Sequence, residues 1–183
     1  NGFKRQRQTD ASLIRIYFRY ICVQNRSMYT EYQPSHLLVP YIDSYWEFKG
    51  NPDYGMRIHI LPDGCTDFIF TLGEVANAVE EGSLIMQPYR SYFVGPMTKY
   101  SELVTYTESI HMFGVRFLPC GLSCFTNLPL HEFVNSRVST NEMKAVFDDT
   151  FIEKLGEQKH VTDRIRVVEE YLLMYLTRHY QPA

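Results

Sequence analysis

The alternation of hydrophobic and polar positions in the middle of the chain predicts a series of short β-strands. In SYWEFK (Ser44–Lys49), strand periodicity places Tyr45 and Glu47 on one face. Trp46 and Phe48 then lie on the opposite face. Similar runs, separated by Gly, Pro, Asn and Asp, predict further strands at Met56–Ile60, Thr66–Leu72, Ser83–Met86, Ser91–Val94, Tyr100–Thr107 and Ile110–Phe117. Short strands at this spacing indicate a β-sandwich or a β-barrel.

After Pro119 the hydrophobic period changes from that of a strand to that of a helix. Glu142–Leu155 and Thr162–His179 carry apolar residues at intervals of three and four, which predicts two amphipathic helices. Two shorter helices are predicted at Gly121–Asn127 and Leu130–Val134. The apolar stripe of the last helix consists of Ile165, Val168, Leu172 and Tyr175. This stripe packs either against the β-structure of its own chain or against a second copy in a dimer, and the sequence favours neither.

The segment LPDGCTDFIFTLG (Leu61–Gly73) begins with a tight turn between two of the predicted strands. Pro62 presets the backbone for the first turn position, Asp63 can accept a backbone hydrogen bond, and Gly64 tolerates a positive φ. The runs RIHI and TDFIFTL on either side have strand character. We therefore expect the turn to join these two strands as a hairpin.

Asp63 and Asp67 lie four residues apart, and Arg116 lies between Val115 and Phe117 in a predicted strand. Two carboxylates are able to act as an acid–base pair, but no third catalytic partner stands at a characteristic spacing. Strand alternation places Arg116 on the opposite face from its neighbours, and a buried guanidinium needs a carboxylate partner. We expect Asp63 or Asp67 to be that partner, with a ligand carboxylate as the alternative.

Aromatic residues dominate the predicted strands and either fill the core or line a ligand pocket. The candidates are Trp46, Phe48, Phe68, Phe70, Tyr92 and Phe93. Trp46 is the best pocket candidate, because a buried indole N–H needs a hydrogen-bond partner. The predicted ligand-binding residues are Trp46, Asp63, Asp67, Tyr92 and Arg116.

The histidine and cysteine residues form no pattern that is typical of a metal site. The histidines are scattered along the chain, and Cys120 and Cys124 have no matching pair at zinc-site spacing. We therefore expect no metal, no cofactor, and free thiols in a reducing compartment.

The charge of the 183-residue chain is unevenly distributed around a formal net value of −3. Residues 1–27 carry six basic residues and one acid, whereas the rest carries 12 basic and 20 acidic residues. We interpret residues 1–28 as a basic extension on an acidic body, with a nucleic-acid-binding or membrane-binding tail as the alternative. The overall charge gives no electrostatic argument for nucleic-acid binding by the body itself.

The longest apolar run, LIRIYFRYICV (Leu13–Val23), is too short to cross a membrane and contains two arginines. It lacks the small-residue cleavage pattern of a signal peptide. Its β-branched and aromatic residues favour a strand, and a short helix is the alternative. We expect a soluble, cytoplasmic protein of one main domain.

Five segments in combination resemble the N-terminal sensory domain of one branch of the AraC-type transcriptional regulators. They are YxPSxxLxxYIxSYW (Tyr32–Trp46), ILPDGCTDFIFTLG (Ile60–Gly73), YFVGPMT (Tyr92–Thr98), GVRFLPCG (Gly114–Gly121) and NLPLHEFVN (Asn127–Asn135). The resemblance covers about residues 29–180. It implies a cupin-like β-barrel followed by helices, which senses a ligand or mediates dimerisation, and a C-terminal pair of helix-turn-helix motifs that binds DNA.

Together these observations predict an α+β fold, a cupin-like β-barrel or sandwich at residues 29–120 followed by a helical subdomain at 121–183. No helix-turn-helix signature is present in the chain, so we expect a sensor half without its DNA-binding half. The predicted role is ligand sensing and homodimerisation in a bacterial-type transcription factor, with a small-molecule effector and no enzymatic activity. A small cupin-like enzyme, such as an isomerase or a dioxygenase, is the alternative; a dimerisation module without a ligand is the third possibility.

Overall fold

The computed structural model describes residues 28–60, 62–75, 77–78, 84–142, 146–147 and 149–179. The predictions for residues 1–27, including the basic extension and the Leu13–Val23 segment, lie outside the described residues. The predicted strand Ser83–Met86 lies partly outside them, and its described part, residues 84–86, has irregular structure.

Within the described residues, nine strands form two antiparallel sheets. The strands are β1 (Tyr29–Tyr32), β2 (Ile42–Gly50), β3 (Met56–Ile60), β4 (Thr66–Thr71), β5 (Asn77–Ala78), β6 (Ser91–Val94), β7 (Ser101–Thr105), β8 (Ile110–Phe117) and β9 (Arg137–Ser139). The large sheet has the order β1–β2–β8–β4–β6–β9, and the small sheet has the order β3–β7–β5. The six predicted strands that match β2, β3, β4, β6, β7 and β8 are confirmed to within two residues at each end.

The two faces of the large sheet belong to different hydrophobic clusters. Tyr45 lies in the cluster that packs against the C-terminal helices. Trp46 and Phe48 lie in the cluster that packs against the small sheet. The alternation predicted for SYWEFK is therefore confirmed, and it explains the fold, because a sheet that is apolar on both faces needs a layer on each side.

Two α-helices follow the strands, α1 (Asp149–Gly156) and α2 (Val161–His179). The last predicted helix is confirmed, but the one predicted over Glu142–Leu155 is too long. Thr140–Glu142 forms a separate 3₁₀ turn, and Phe147 precedes α1. The side chain of Phe147 is fully buried against the sheet, so the chain is anchored there before the helix begins. The two short predicted helices are single 3₁₀ turns, Gly121–Cys124 and Leu130–Phe133.

The turn around Asp63 joins two sheets and does not form a hairpin. β3 pairs with β7, whereas β4 pairs with β6 and β8. The local chemistry of the turn is as predicted: Asp63 Oδ1 accepts the Cys65 amide at 2.9 Å, and Gly64 has a φ of 70°. The pairing differs because β4 is buried on both faces and takes a central position, whereas β3 is half-exposed and suits the smaller sheet.

The chain therefore has a mixed α/β fold in three layers: the small sheet, the large antiparallel sheet and a C-terminal helical pair. The strands of the described residues do not close into a barrel. None of the described helices is both long enough and apolar enough to cross a membrane.

Candidate functional site

A cavity of about 80 Å³ lies between the two sheets. Its lining is mainly apolar, as is typical of small-molecule sites. Trp46 and Ile69 contribute from the large sheet, and Ile58 and Leu103 contribute from the small sheet. Ile58 and the neighbouring lining residue His59 are half-buried, which places the cavity close to the surface on that side.

A row of side chains on five strands crosses the large sheet at one end of the cavity. The strand register pairs Arg116 with Ser44 and with Asp67, and it pairs Val94 with Asp67 and with Arg137. Directly paired residues project from the same face of a sheet. The register therefore brings Arg116, Asp67 and Arg137, which are far apart in sequence, to one polar end of the cavity.

Asp67 is the centre of this polar end. Its Oδ1 accepts a hydrogen bond from Trp46 Nε1 at 2.8 Å, and its Oδ2 accepts one from Arg116 Nε at 3.3 Å. Arg116 Nη1 also lies 3.9 Å from Asp63 Oδ2. The prediction that Asp63 or Asp67 pairs with Arg116 is confirmed, since both carboxylates lie beside the guanidinium. The buried indole of Trp46 has the partner that it requires.

Burial and charge oppose each other at this site. Burial raises the pKa of Asp67, while the Arg116 guanidinium and the Trp46 N–H act in the opposite direction. Burial alone would lower the pKa of Arg116, but the carboxylates of Asp67 and Asp63 raise it above its usual value. Both oxygens of Asp67 already accept internal hydrogen bonds, an arrangement that suits binding and positioning better than proton transfer.

Gly114 makes room for Trp46 on the floor of the cavity. Gly114 pairs directly with Trp46 on β2 and with Ile69 on β4. A Cβ atom at position 114 would overlap the indole ring, so that only glycine allows the ring to lie across the β8 backbone. Gly114 was not among the predicted site residues, although a glycine inside a predicted central strand is a recognised signal of close approach.

Tyr92 lies outside the cavity lining, unlike the other four predicted ligand-binding residues. Its side chain is buried in the cluster beneath the small sheet, and its hydroxyl accepts the Gln87 amide N–H at 2.6 Å. This bond holds the segment before β6 against the sheet. The other aromatic candidates Phe68, Phe70 and Phe93 face the helices as core residues.

Several further lining residues were not predicted from the sequence. Met86, Met97 and Met112 contribute thioether groups, and Arg137 adds a second guanidinium. Met86 and Met97 lie outside the strands, where no periodicity shows which way a side chain projects. Arg137 belongs to a strand of three half-buried residues, which is too short to give an alternation signal.

The opposite face of β2 holds the last helix. Arg164 Nη1 on α2 donates to Glu47 Oε1 at 3.0 Å, and His111 Nε2 lies 2.9 Å from the same oxygen. The Tyr45 hydroxyl donates to Glu169 Oε1 on α2 at 3.2 Å. Trp46 stands between Tyr45 and Glu47 in sequence, so one strand contacts both the cavity and α2.

The apolar stripe of α2 packs against the core of its own chain. Val168 and Leu172 have no exposed surface, and Ile165 and Tyr175 pack at the edge of the same cluster. The structure thus favours the first of the two alternatives for this stripe. The dimer contact predicted through these four residues is set aside, since the two central ones are covered by the chain itself.

The carboxylate of Glu47 gives a pH dependence whose sign follows from its partners. The hydrogen bond to His111 and the charge of Arg164 hold the pKa of Glu47 below its usual value of 4.5, against the effect of burial. Glu47 therefore stabilises the fold above about pH 4.5, and this contribution is lost as the pH falls through the lowered pKa. We expect Glu47→Gln to reduce the free energy of unfolding at pH 6 but much less at pH 3, measured by urea denaturation. An equal loss at both pH values would contradict this assignment.

No group of three or more His, Cys, Asp or Glu side chains in the described part of the chain is arranged to hold a metal ion. The free cysteines there are Cys65, Cys120 and Cys124. Burial raises the pKa of the Cys65 thiol, and nearby Asp63 adds to this effect. Cys65 is therefore a protonated, apolar part of the core at neutral pH.

Comparison with known protein families places the chain in one family. No curated protein matches the chain. Residues 30–139 match the model of a family described as a domain of unknown function, DUF6597. The match runs from β1 to the end of β9, so it includes every described lining residue of the cavity except Tyr29 and more than half of the chain. The chain therefore belongs to the DUF6597 family.

Proposed function

We propose that this chain is the ligand-sensing domain of an AraC-type transcriptional regulator and that the cavity between the sheets is its effector site. The proposal rests mainly on one observation: β2 presents Trp46 to the cavity and, on its other face, Tyr45 and Glu47 to α2. The resemblance to AraC-type sensory domains, with their cupin-like fold and dimerisation, supports the same role.

The proposed signal passes through β2 in two steps. An effector in the cavity contacts Trp46 and changes the position of the indole, which Asp67 and Gly114 hold from either side. Movement of β2 then changes the contacts of Tyr45 and Glu47 with α2. The response is limited by the difference in effector affinity between the two states of the domain.

A thermal-shift screen of the chain against a library of small molecules tests the sensor role. A compound that binds only the native state at about 100 times its Kd adds about 2.7 kcal/mol to the free energy of unfolding. For a domain of this size, that corresponds to a rise in Tm of roughly 5–10 °C. Trp46 is the only tryptophan in the chain, so its fluorescence reports whether a hit enters the cavity.

Two substitutions that fill the cavity serve as controls. Gly114→Ala displaces the indole, at a cost of about 1–3 kcal/mol for overpacking, and Val94→Met fills the cavity from the lining of β6. Hits should lose their Tm shift in both variants. For true effectors, hydrogen exchange of the α2 amides should change on binding. If compounds bind without any change in α2, or if no compound in the library binds, the results would favour a domain that acts as a scaffold without an effector.

The regulatory half of the proposal has a separate test. The AraC resemblance implies a DNA-binding half that follows the sensory domain. The coding sequence downstream of codon 183 is therefore expected to encode two helix-turn-helix motifs. A continuation with no such motif would contradict the transcriptional role, and the cavity would then belong to another kind of protein.

A further inference from the structure

One carboxylate oxygen at the polar end of the cavity has capacity to accept a hydrogen bond. Asp63 Oδ1 is occupied by the Cys65 amide at 2.9 Å. Asp63 Oδ2 faces Arg116 Nη1 at 3.9 Å, which is beyond hydrogen-bond range, and no hydrogen bond from the described residues reaches it. Because the Asp63 side chain is 11% exposed and lines the cavity, a bound molecule is well placed to donate to this oxygen.

The charges of the described lining residues balance at this end of the cavity. Among the described lining residues there are two carboxylates, Asp63 and Asp67, and two guanidiniums, Arg116 and Arg137. Asp67 bonds to Arg116, and Arg137 Nη2 donates to Ser101 Oγ at 2.9 Å. A ligand with a net charge would leave one buried charge without compensation, which is strongly unfavourable at low dielectric. The balance therefore selects against both anions and cations.

The remaining lining suits a compact apolar body. The flat Trp46 ring and Phe48 provide aromatic surface, and Met86, Met97 and Met112 provide flexible thioethers that adapt to ligand shape. Tyr29 stacks against Trp46 with a centroid separation of 6.1 Å. Such a surface favours a ring or a short branched chain.

We infer that the cavity binds a small neutral molecule with an apolar body and one hydroxyl or N–H group that donates a hydrogen bond to Asp63. The inference names the ligand class for the proposed effector site, and so it rests on that proposal. The hydroxyl lies at the polar end between the two sheets, and the body lies against Trp46 and the methionines.

Four probes with the same aromatic body test the inference on the intact chain: benzyl alcohol, toluene, benzoate and benzylammonium. Titrations are followed by the fluorescence of Trp46. A hydrogen bond to a charged acceptor corresponds to roughly a tenfold or greater gain in affinity. We expect benzyl alcohol to bind at least tenfold more tightly than toluene, with both charged probes weaker than the alcohol.

Asp63→Asn changes the charge of the cavity with little change in shape. The amide oxygen keeps an acceptor for the Cys65 N–H, and the cavity gains one unit of positive charge. Benzoate should then gain at least tenfold in affinity relative to benzyl alcohol. The matched control is Asp53→Asn, at an exposed carboxylate outside the cavity lining, which should keep the wild-type order of the four probes.

The outcomes separate this inference from the proposed function. Equal binding of toluene and benzyl alcohol, preference for a charged probe, failure of all four probes to bind, or an Asp63→Asn variant with the wild-type order would each overturn the inference. A charged library compound that binds the cavity and changes α2 would also overturn it, while the sensor role would stand. A neutral donor that binds as expected but leaves α2 unchanged would support the ligand class and count against sensing.

Discussion

Replacing Phe147 with alanine is expected to lower the free energy of unfolding by about 3–5 kcal/mol, the usual range for a buried phenylalanine. Phe147 has no exposed surface. Its ring contacts Phe68 on β4 at a centroid distance of 5.0 Å, Phe151 on α1 at 4.7 Å, and Tyr171 on α2 at 5.7 Å. The substitution therefore opens a cavity where the large sheet and both helices meet.

Urea denaturation followed by circular dichroism measures the loss. Tyr54→Ala is the matched control, because Tyr54 is an aromatic residue that is 82% exposed; its replacement is expected to change stability by only about 0.5 kcal/mol. Phe147→Leu retains most of the buried volume and should lie between the two. A loss below about 1 kcal/mol for Phe147→Ala, far under the range for core aromatics, would show that the helices are not anchored through this ring.

Phe147 shows which features of the fold could be predicted from the sequence and which could not. The helical period after Pro119 predicted α2 almost to the residue, because a long amphipathic helix leaves a regular pattern of buried positions. The same period was extended back through Phe147, where the residue is buried by contacts to β4 that lie about 80 positions earlier. Apolar spacing records that a side chain is buried, but not which element covers it.

The two sheets also show that the sequence predicts local features better than contacts between distant segments. Alternation within Ser44–Lys49 gave both faces of β2 correctly, since side-chain direction in a strand is a local property. Strand pairing is not local: the turn at Asp63 has hairpin chemistry, yet β3 and β4 belong to different sheets. The prediction that the strands close into a barrel also depended on strand pairing. The sequence specifies strand pairing less clearly than it specifies side-chain direction.

The candidate site was partly accessible to sequence reasoning for a chemical reason. A guanidinium flanked by apolar strand residues has to be compensated, and this requirement alone selected Asp63 and Asp67 as partners of Arg116. Arg137 and the lining methionines carry no such requirement in the sequence. They reach the cavity only through the register of β6 with β9 and through the course of loops.

Removing the Asp67 carboxylate is the second change for which we expect a large effect. Asp67→Ala takes away the carboxylate 3.3 Å from the Arg116 guanidinium and also the acceptor of the Trp46 indole N–H. Breaking a buried ion pair from one side typically costs about 3–5 kcal/mol, because the remaining charge stays in a low-dielectric environment. Asp63 Oδ2, which lies 3.9 Å from Arg116 Nη1, offsets part of this cost. Arg116 is only 8% exposed, so water gives it little compensation.

A double replacement distinguishes the cost of an unbalanced charge from the value of the pair itself. Asp67→Leu combined with Arg116→Met removes both charges of the pair, and such apolar replacements are often neutral or stabilising. It also removes the acceptor of the Trp46 N–H and the guanidinium beside Asp63, which offsets part of the gain. We expect the double variant to be at least about 2 kcal/mol more stable than Asp67→Leu alone, with the coupling obtained from a double-mutant cycle that also includes Arg116→Met alone. Asp67→Asn, which keeps an acceptor for Trp46, should lie between the wild type and Asp67→Ala.

The same variants show whether the polar end of the cavity serves the fold or a ligand. If the double variant regains wild-type stability but no longer distinguishes benzyl alcohol from toluene, the ion pair is dispensable for folding and positions the donor-accepting end of the cavity. If stability and discrimination are lost together in every variant, the pair is a structural support of the two sheets. A buried polar group that does not stabilise the fold strongly indicates a ligand site, because nothing within the protein offsets the cost of its burial.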